Sequence, residues 1–80
     1  MTITVYVIRS LSKNFRYIGL TDSLDRRLGQ HNDGRSKSTS PYKPFKLIYS
    51  EVLQDRKLAR QPEKFLKSGV GRNFLNSLES

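Results

Sequence analysis

Apolar and polar positions divide the chain into short runs with two different periods. Residues 2–9, Thr-Ile-Thr-Val-Tyr-Val-Ile-Arg, are rich in β-branched and aromatic types and predict a buried strand. Ser10 to Asn14 is polar and predicts a turn, and residues 15–20, Phe-Arg-Tyr-Ile-Gly-Leu, predict a second strand that pairs with the first as a hairpin. Gly19, near the end of that strand, marks either a bulge or a close backbone approach.

The period then changes. Thr21-Asp22-Ser23 offers helix-capping oxygens, and Leu24, Arg27, Leu28 and His31 follow at i, i+3, i+4 and i+7, the spacing of one helical face. Asn32-Asp33-Gly34 closes that helix with residues that tolerate positive φ. Residues 35–44, Arg-Ser-Lys-Ser-Thr-Ser-Pro-Tyr-Lys-Pro, predict an irregular, positively charged loop. Residues 45–53 predict a third strand. Asp55 opens a second helix carrying Leu58, Ala59, Phe65 and Leu66, Ser68-Gly69-Val70-Gly71 breaks it, and Arg72 to Leu78 forms a short terminal helix. The implied order is β-β-α-β-α-α. This is an α+β fold in which helices flank a small three-stranded antiparallel sheet, with residues 1–80 forming a single domain.

Charge narrows the class of partner. Fifteen Lys and Arg stand against seven Asp and Glu, a formal net charge of +8 with a pI near 10.2. Such a surface attracts polyanions through long-range steering and counterion release, so a nucleic acid is the expected partner. The apolar clusters, within a hydrophobic content of 35%, argue for a thin folded core rather than disorder. No cysteine and a single histidine exclude disulfides and the usual zinc sites. Any metal would be held by carboxylate and water, which selects a hard cation. No run approaches the length of a membrane span and no signal-peptide pattern is visible, so the expected location is cytoplasmic.

Five pieces in order then resemble one family. Tyr6 within Val5-Tyr6-Val7 resembles the first motif of the GIY-YIG nucleases, and Tyr17-Ile18-Gly19 matches the second literally. Arg26-Arg27-Leu28 followed by Gln30-His31-Asn32-Asp33-Gly34 is similar to the family's first helix, where an arginine is followed four residues later by a histidine or tyrosine. Pro44 to Tyr49 looks like its third strand, and Ala59, Glu63 and Lys67 resemble its acidic helix. The resemblance spans about residues 3–78. Each piece is weak alone, and the ordered set is specific. The similar branch is the small stand-alone bacterial proteins.

The resemblance implies a metal-dependent endonuclease that hydrolyses DNA phosphodiester bonds. It gives catalytic roles to four residues: Tyr6 as general base, directly or through a relay, Tyr17 as orienter of water and phosphate, Arg27 as phosphate clamp, and His31 as proton-transfer or positioning group. Glu63 becomes the ligand of Mg2+ or Mn2+, ahead of Glu51, Asp55 and Glu79. Asn73 and Asn76 are both candidates for the polar residue that often follows the family's glutamate. Without the resemblance, the tyrosines read as core residues, Arg27 as a solvated side chain, His31 as a helix-end cation, and Glu63 as an exposed partner of Lys67 at i+4.

Nucleic-acid contact is expected from Arg26 on the first helix and from Arg35, Lys37, Tyr42, Lys43 and Lys46 around the irregular loop. A solvated basic loop is the plain alternative. DNA is the expected partner, with no membrane and no small-molecule cofactor, and a homodimer is one way for a lone domain to cut both strands. Two departures from the family stand out. The first motif reads Val-Tyr-Val, and Pro62 precedes Glu63 inside the second helix. Proline there predicts either a kink or a fresh turn with Pro62 at its first position, which would set Glu63 at a helix N-terminus. The competing functions are a nucleic-acid-binding module of the same fold without turnover, and a basic RNA-associated structural protein that needs no carboxylate.

Overall fold

The computed structural model describes residues 1–79. Its elements are β1 (Ile3–Ser10), β2 (Arg16–Thr21), α1 (Leu24–Asn32), a 3-10 turn at Ser40–Tyr42, β3 (Phe45–Leu53), α2 (Arg56–Lys67) and α3 (Gly69–Glu79). The three strands form one antiparallel sheet in the order β2-β1-β3, giving the expected β-β-α-β-α-α fold.

The parity of β1 organises the molecule, because successive side chains of a strand point to opposite faces. Ile3, Val5 and Val7 face one way and join Ala59 and Leu66 of α2 and Leu75 of α3, with Ile18 and Leu20 of β2 at the margin. Tyr6 and Ile8 face the other way and join Phe45, with Phe15, Tyr17, Leu24, Leu28 and Tyr42 around them. The sheet therefore carries two thin half-cores, one under α2 and α3 and one under α1 and the 35–44 loop. Truncating Leu66 or Leu75, each almost fully buried, would cost about 2–5 kcal/mol.

The β1–β2 ladder runs without interruption from Thr4↔Thr21 to Arg9↔Arg16 and pairs Tyr6 with Gly19. Gly19 is thus a close-approach glycine and not a bulge. The irregularity lies on the other side of β1: Val7 pairs with Tyr49 and Ile8 with Leu47, leaving Ile48 as the extra residue of β3.

Two boundary expectations are corrected. Helix α2 runs unbroken from Arg56 to Lys67 with Pro62 inside it, so no fresh turn begins at Pro62 and Glu63 gains nothing from a helix N-terminus. The true N-cap is Asp55, whose carboxylate accepts from the Leu58 amide at 2.9 Å. Packing explains why the helix survives its proline: Ala59 and Leu66 anchor it to the sheet on either side of the interruption. The helix break is also narrower than Ser68–Gly71. Ser68 alone separates α2 from α3, and Gly69, Val70 and Gly71 are the first residues of α3. At the start of α1, Ser23 is the N-cap but makes no side-chain cap bond, and Thr21 Oγ1 instead accepts from the Ser23 amide at 3.1 Å.

Candidate active site

Tyr6 lies mid-strand on the central β1, and its ring points away from α2 and α3 into the half-core beneath α1. The side chain is 1% exposed, and its hydroxyl stands 2.9 Å from His31 Nε2. His31 is in the last turn of α1, at i+4 from Arg27 and on the same face. It is fully buried, and its second ring nitrogen, Nδ1, is 2.8 Å from Thr39 Oγ1. Thr39 is also fully buried, and its hydroxyl donates to the Ser36 carbonyl at 3.5 Å.

One arrangement of the protons satisfies all three contacts together. With the Thr39 hydroxyl committed to Ser36, its oxygen accepts from His31 Nδ1–H, and His31 Nε2 accepts from Tyr6 O–H. Burial supports the neutral form of both rings. It raises the Tyr6 phenol above its ordinary value, against the opposing influence of a hydrogen bond from Arg27, with Tyr17 adding a smaller upward push. It lowers His31 below its ordinary value, and the Arg27 charge lowers it further.

Arg27 is half-buried at the edge of this chain. Its Nη1 donates to Gln30 Oε1 at 3.0 Å, which fixes the guanidinium beside the Tyr6 hydroxyl. Tyr17, on the edge strand β2, completes the group: its ring centroid is 5.1 Å from that of His31 and 6.2 Å from that of Tyr6. Tyr6, Tyr17, Arg27 and His31 are therefore gathered at one place.

Glu63 comes from the other sheet face, beside Leu20 of the edge strand β2. It projects from α2, on the opposite side of the sheet, into a groove of about 520 Å³ that it lines with Leu20, Arg60, Lys64 and Lys67. Its carboxylate pairs with Lys67 Nζ at 3.2 Å, and the Glu63 side chain is 25% exposed. Among the described residues no group of three or more acidic, histidine or cysteine side chains could hold a metal. The donor set is a single carboxylate. That fits a hard cation which keeps several waters and takes its remaining ligands from phosphate, and it fits no all-protein metal cage.

The remaining candidates are dispersed. Arg26 pairs with Asp22 at 2.8 Å and Arg35 with Asp33 at 3.8 Å, both on the exposed surface. Lys37, Lys43 and Lys46 are exposed. Tyr42 is stacked on Phe15, with centroids 3.9 Å apart and planes at 12°, while Lys13 Nζ stands 5.4 Å from its ring centroid. Asn73 and Asn76 are exposed on α3, and Asn76 lines a second groove beside β2. Thr39 and Gln30 had no assigned role in the sequence. A threonine in a serine-rich loop carries no mark of its partner, and only the fold of the 35–44 loop over α1 brings it to His31.

A family model described as the GIY-YIG catalytic domain matches residues 2–76. A UPF0213 protein of Streptococcus pneumoniae serotype 4 is 35% identical over an alignment covering 94% of this chain and 88% of that protein. The UPF0213 protein YazA of Bacillus subtilis is 33% identical over 78% of this chain and 63% of its own length. The solution NMR structure of the UPF0213 protein BH0048 from Bacillus halodurans matches with a TM-score of 0.57 and 28% identity, covering 98% of this chain and 85% of that one. The chain belongs to the GIY-YIG catalytic-domain family, in company with small UPF0213 proteins.

Proposed function

We propose that this protein is a divalent-metal-dependent endonuclease acting on DNA phosphodiester bonds. The observation that carries the reading is the hydrogen-bonded chain Tyr6–His31–Thr39 with the Arg27 guanidinium at its outer end.

A phenol is a poor base at neutral pH, and burial makes Tyr6 poorer still. The chain resolves this difficulty. As water attacks phosphorus, its proton passes to the Tyr6 oxygen while the Tyr6 proton passes to His31 Nε2. Neutral His31 is ready to accept it, and Thr39 keeps Nδ1–H in place and so fixes the tautomer. The phosphorus–oxygen bond to the leaving group breaks, the leaving oxygen takes a proton from solvent, and His31 returns its proton to solvent through Tyr6. Arg27 offers a planar fork to the phosphate oxygens, and Tyr17 on the edge strand packs beside the attacking position. Glu63 is the residue that would hold Mg2+ or Mn2+ at the rim of β2, with Lys67 displaced from the carboxylate. When bound, the cation neutralises charge that develops on the phosphate.

One observation favours the second reading, a binding module without turnover. Lys67 already pairs with Glu63 at 3.2 Å, so a cation would have to displace that lysine from the carboxylate. The test is incubation with supercoiled plasmid, with magnesium or with EDTA, beside Arg27→Ala and Glu63→Ala variants. Nicking that requires magnesium and is lost in both variants supports the nuclease. Gel-shift binding without cleavage, on branched and single-stranded substrates as well, supports the binding module. An unchanged Glu63→Ala protein points to a role that needs no carboxylate.

A further inference from the structure

A second groove, of about 480 Å³, opens where the β1–β2 hairpin meets α2 and α3. Arg9 and Arg16, directly paired across the two strands, form its wall together with Lys67 of α2 and Arg72 of α3. Lys67 also lines the Glu63 groove, where Arg60 and Lys64 stand beside it. Arg60, Lys64 and Lys67 fall at i, i+4 and i+7 on α2, one stripe of the helix. The two grooves are thus joined at Lys67 into one track bearing six cations. Two carboxylates answer them: Glu63 on Lys67, and Glu79 of α3, whose oxygens reach Arg9 Nε at 3.3 Å and Arg16 Nη1 at 3.0 Å.

Such an excess of fixed positive charge repels itself unless an anion joins it. The Glu79 contact shows what kind of anion the arginine pair accepts, since one carboxylate bridges two guanidiniums as a phosphate oxygen pair would. We infer that this track is the path of a nucleic-acid phosphate backbone, and that Glu79 occupies the Arg9–Arg16 end of it as an intramolecular competitor. The track differs from the 35–44 loop surface, which lies with α1 on the other face of the sheet. The inference extends the nuclease reading by giving the substrate backbone a route past Glu63, but the binding it asserts needs no catalysis.

The test is fluorescence anisotropy of labelled single-stranded and duplex oligonucleotides with the full chain, in EDTA, over a series of salt concentrations. Arg72→Ala and Lys64→Ala are each expected to weaken binding and to reduce the slope of log affinity against log salt by about 1. Glu79→Gln is expected to tighten binding several-fold, a gain that damage to the fold would not produce. Arg35→Ala with Lys37→Ala is the comparison surface, and thermal melts confirm that each variant is folded. Unchanged affinity and slope in the track variants, with loss in the loop variants, would overturn the inference while leaving a DNA-directed nuclease intact. Track-dependent binding by a protein that never nicks plasmid would do the reverse.

Discussion

The hydroxyl of Tyr6 occupies the place where any side chain at position 19 would begin. A Cβ built on Gly19 would stand 2.6 Å from that oxygen and 2.9 Å from a ring carbon of Tyr17. The glycine of Tyr17-Ile18-Gly19 is therefore a vacancy cut for Tyr6, its cross-strand partner. Gly19→Ala must push the Tyr6 ring off His31, and overpacking of this kind costs about 1–3 kcal/mol. Urea denaturation measures the loss of stability, and the ring-nitrogen NMR signals of His31 report the broken hydrogen bond. A variant with wild-type stability and unshifted His31 signals would mean that the ring simply moves aside.

Tyr6→Phe keeps the ring and removes the proton that His31 Nε2 accepts. The imidazole is fully buried, so its nitrogen loses a partner that water cannot readily replace. An unsatisfied buried polar group costs about 1–3 kcal/mol. Thr39→Val unpairs the other ring nitrogen and should cost a similar amount, about 1–3 kcal/mol. If the two residues act through one imidazole, the double variant loses less than the two losses added together, and strict additivity in a denaturation cycle would argue against a connected chain.

Much of this site was legible in the sequence, for particular reasons. The i, i+4 spacing of Arg27 and His31 fixes a shared direction, and the hairpin of residues 2–9 with 15–20 brings Tyr17 beside Tyr6. What was not legible depends on long-range placement. Thr39 meets His31 through the fold of the 35–44 loop, whose far end is tied back to α1 by the Phe45 amide donating to Asn32 Oδ1 at 2.6 Å. Glu63 follows from the resemblance alone, because no local spacing shows that α2 packs on the opposite sheet face from Tyr6. At Pro62 the fresh turn is excluded, since α2 continues through the proline with Ala59 and Leu66 anchoring it on either side.

Arg27 acts on both rings, and its removal should show this without any activity assay. It holds the Tyr6 phenol down by hydrogen bond and charge, and it holds His31 down by charge. Arg27→Ala should therefore raise the pKa of both groups, with His31 moving back toward its ordinary range. An NMR titration of the two rings in wild type and variant reads each shift directly. A His31 midpoint that stays put would show that the guanidinium charge does not reach the imidazole.

His31 also gives the fold a pH dependence whose sign is determined. Its pKa in the folded protein lies below the ordinary value of 6.5, so between these two values the unfolded chain binds more protons than the folded one. Stability from this residue is complete above about pH 6.5 and falls as the pH drops toward the folded value, with a slope of at most about 1.4 kcal/mol per pH unit for one proton. His31→Gln, which has no titrating group, should flatten stability across that window while leaving the carboxylate-driven loss at lower pH in place. Denaturation midpoints at closely spaced pH values measure this. An equal slope in wild type and variant would show that some other group carries the dependence.

Among the five glycines, Gly71 has the closest surroundings. A Cβ there would overlap the Phe65 carbonyl oxygen and lie 2.6 Å from Leu66 Cα, both backbone atoms at the end of α2. A flexible side chain could yield to such a contact, but a helix backbone cannot move without lifting Leu66 from the core. Gly71→Ala should thus separate α3 from α2 and cost at least the roughly 1–3 kcal/mol typical of overpacking. Gly69→Ala is the matched control, since a Cβ at position 69 meets nothing within 4 Å. That variant should be neutral or slightly stabilising, because alanine favours the helix by about 1 kcal/mol over glycine in an interior position and by less at an end. Thermal melts of the pair decide the matter: similar midpoints would show that the α2–α3 junction is looser than this crossing requires.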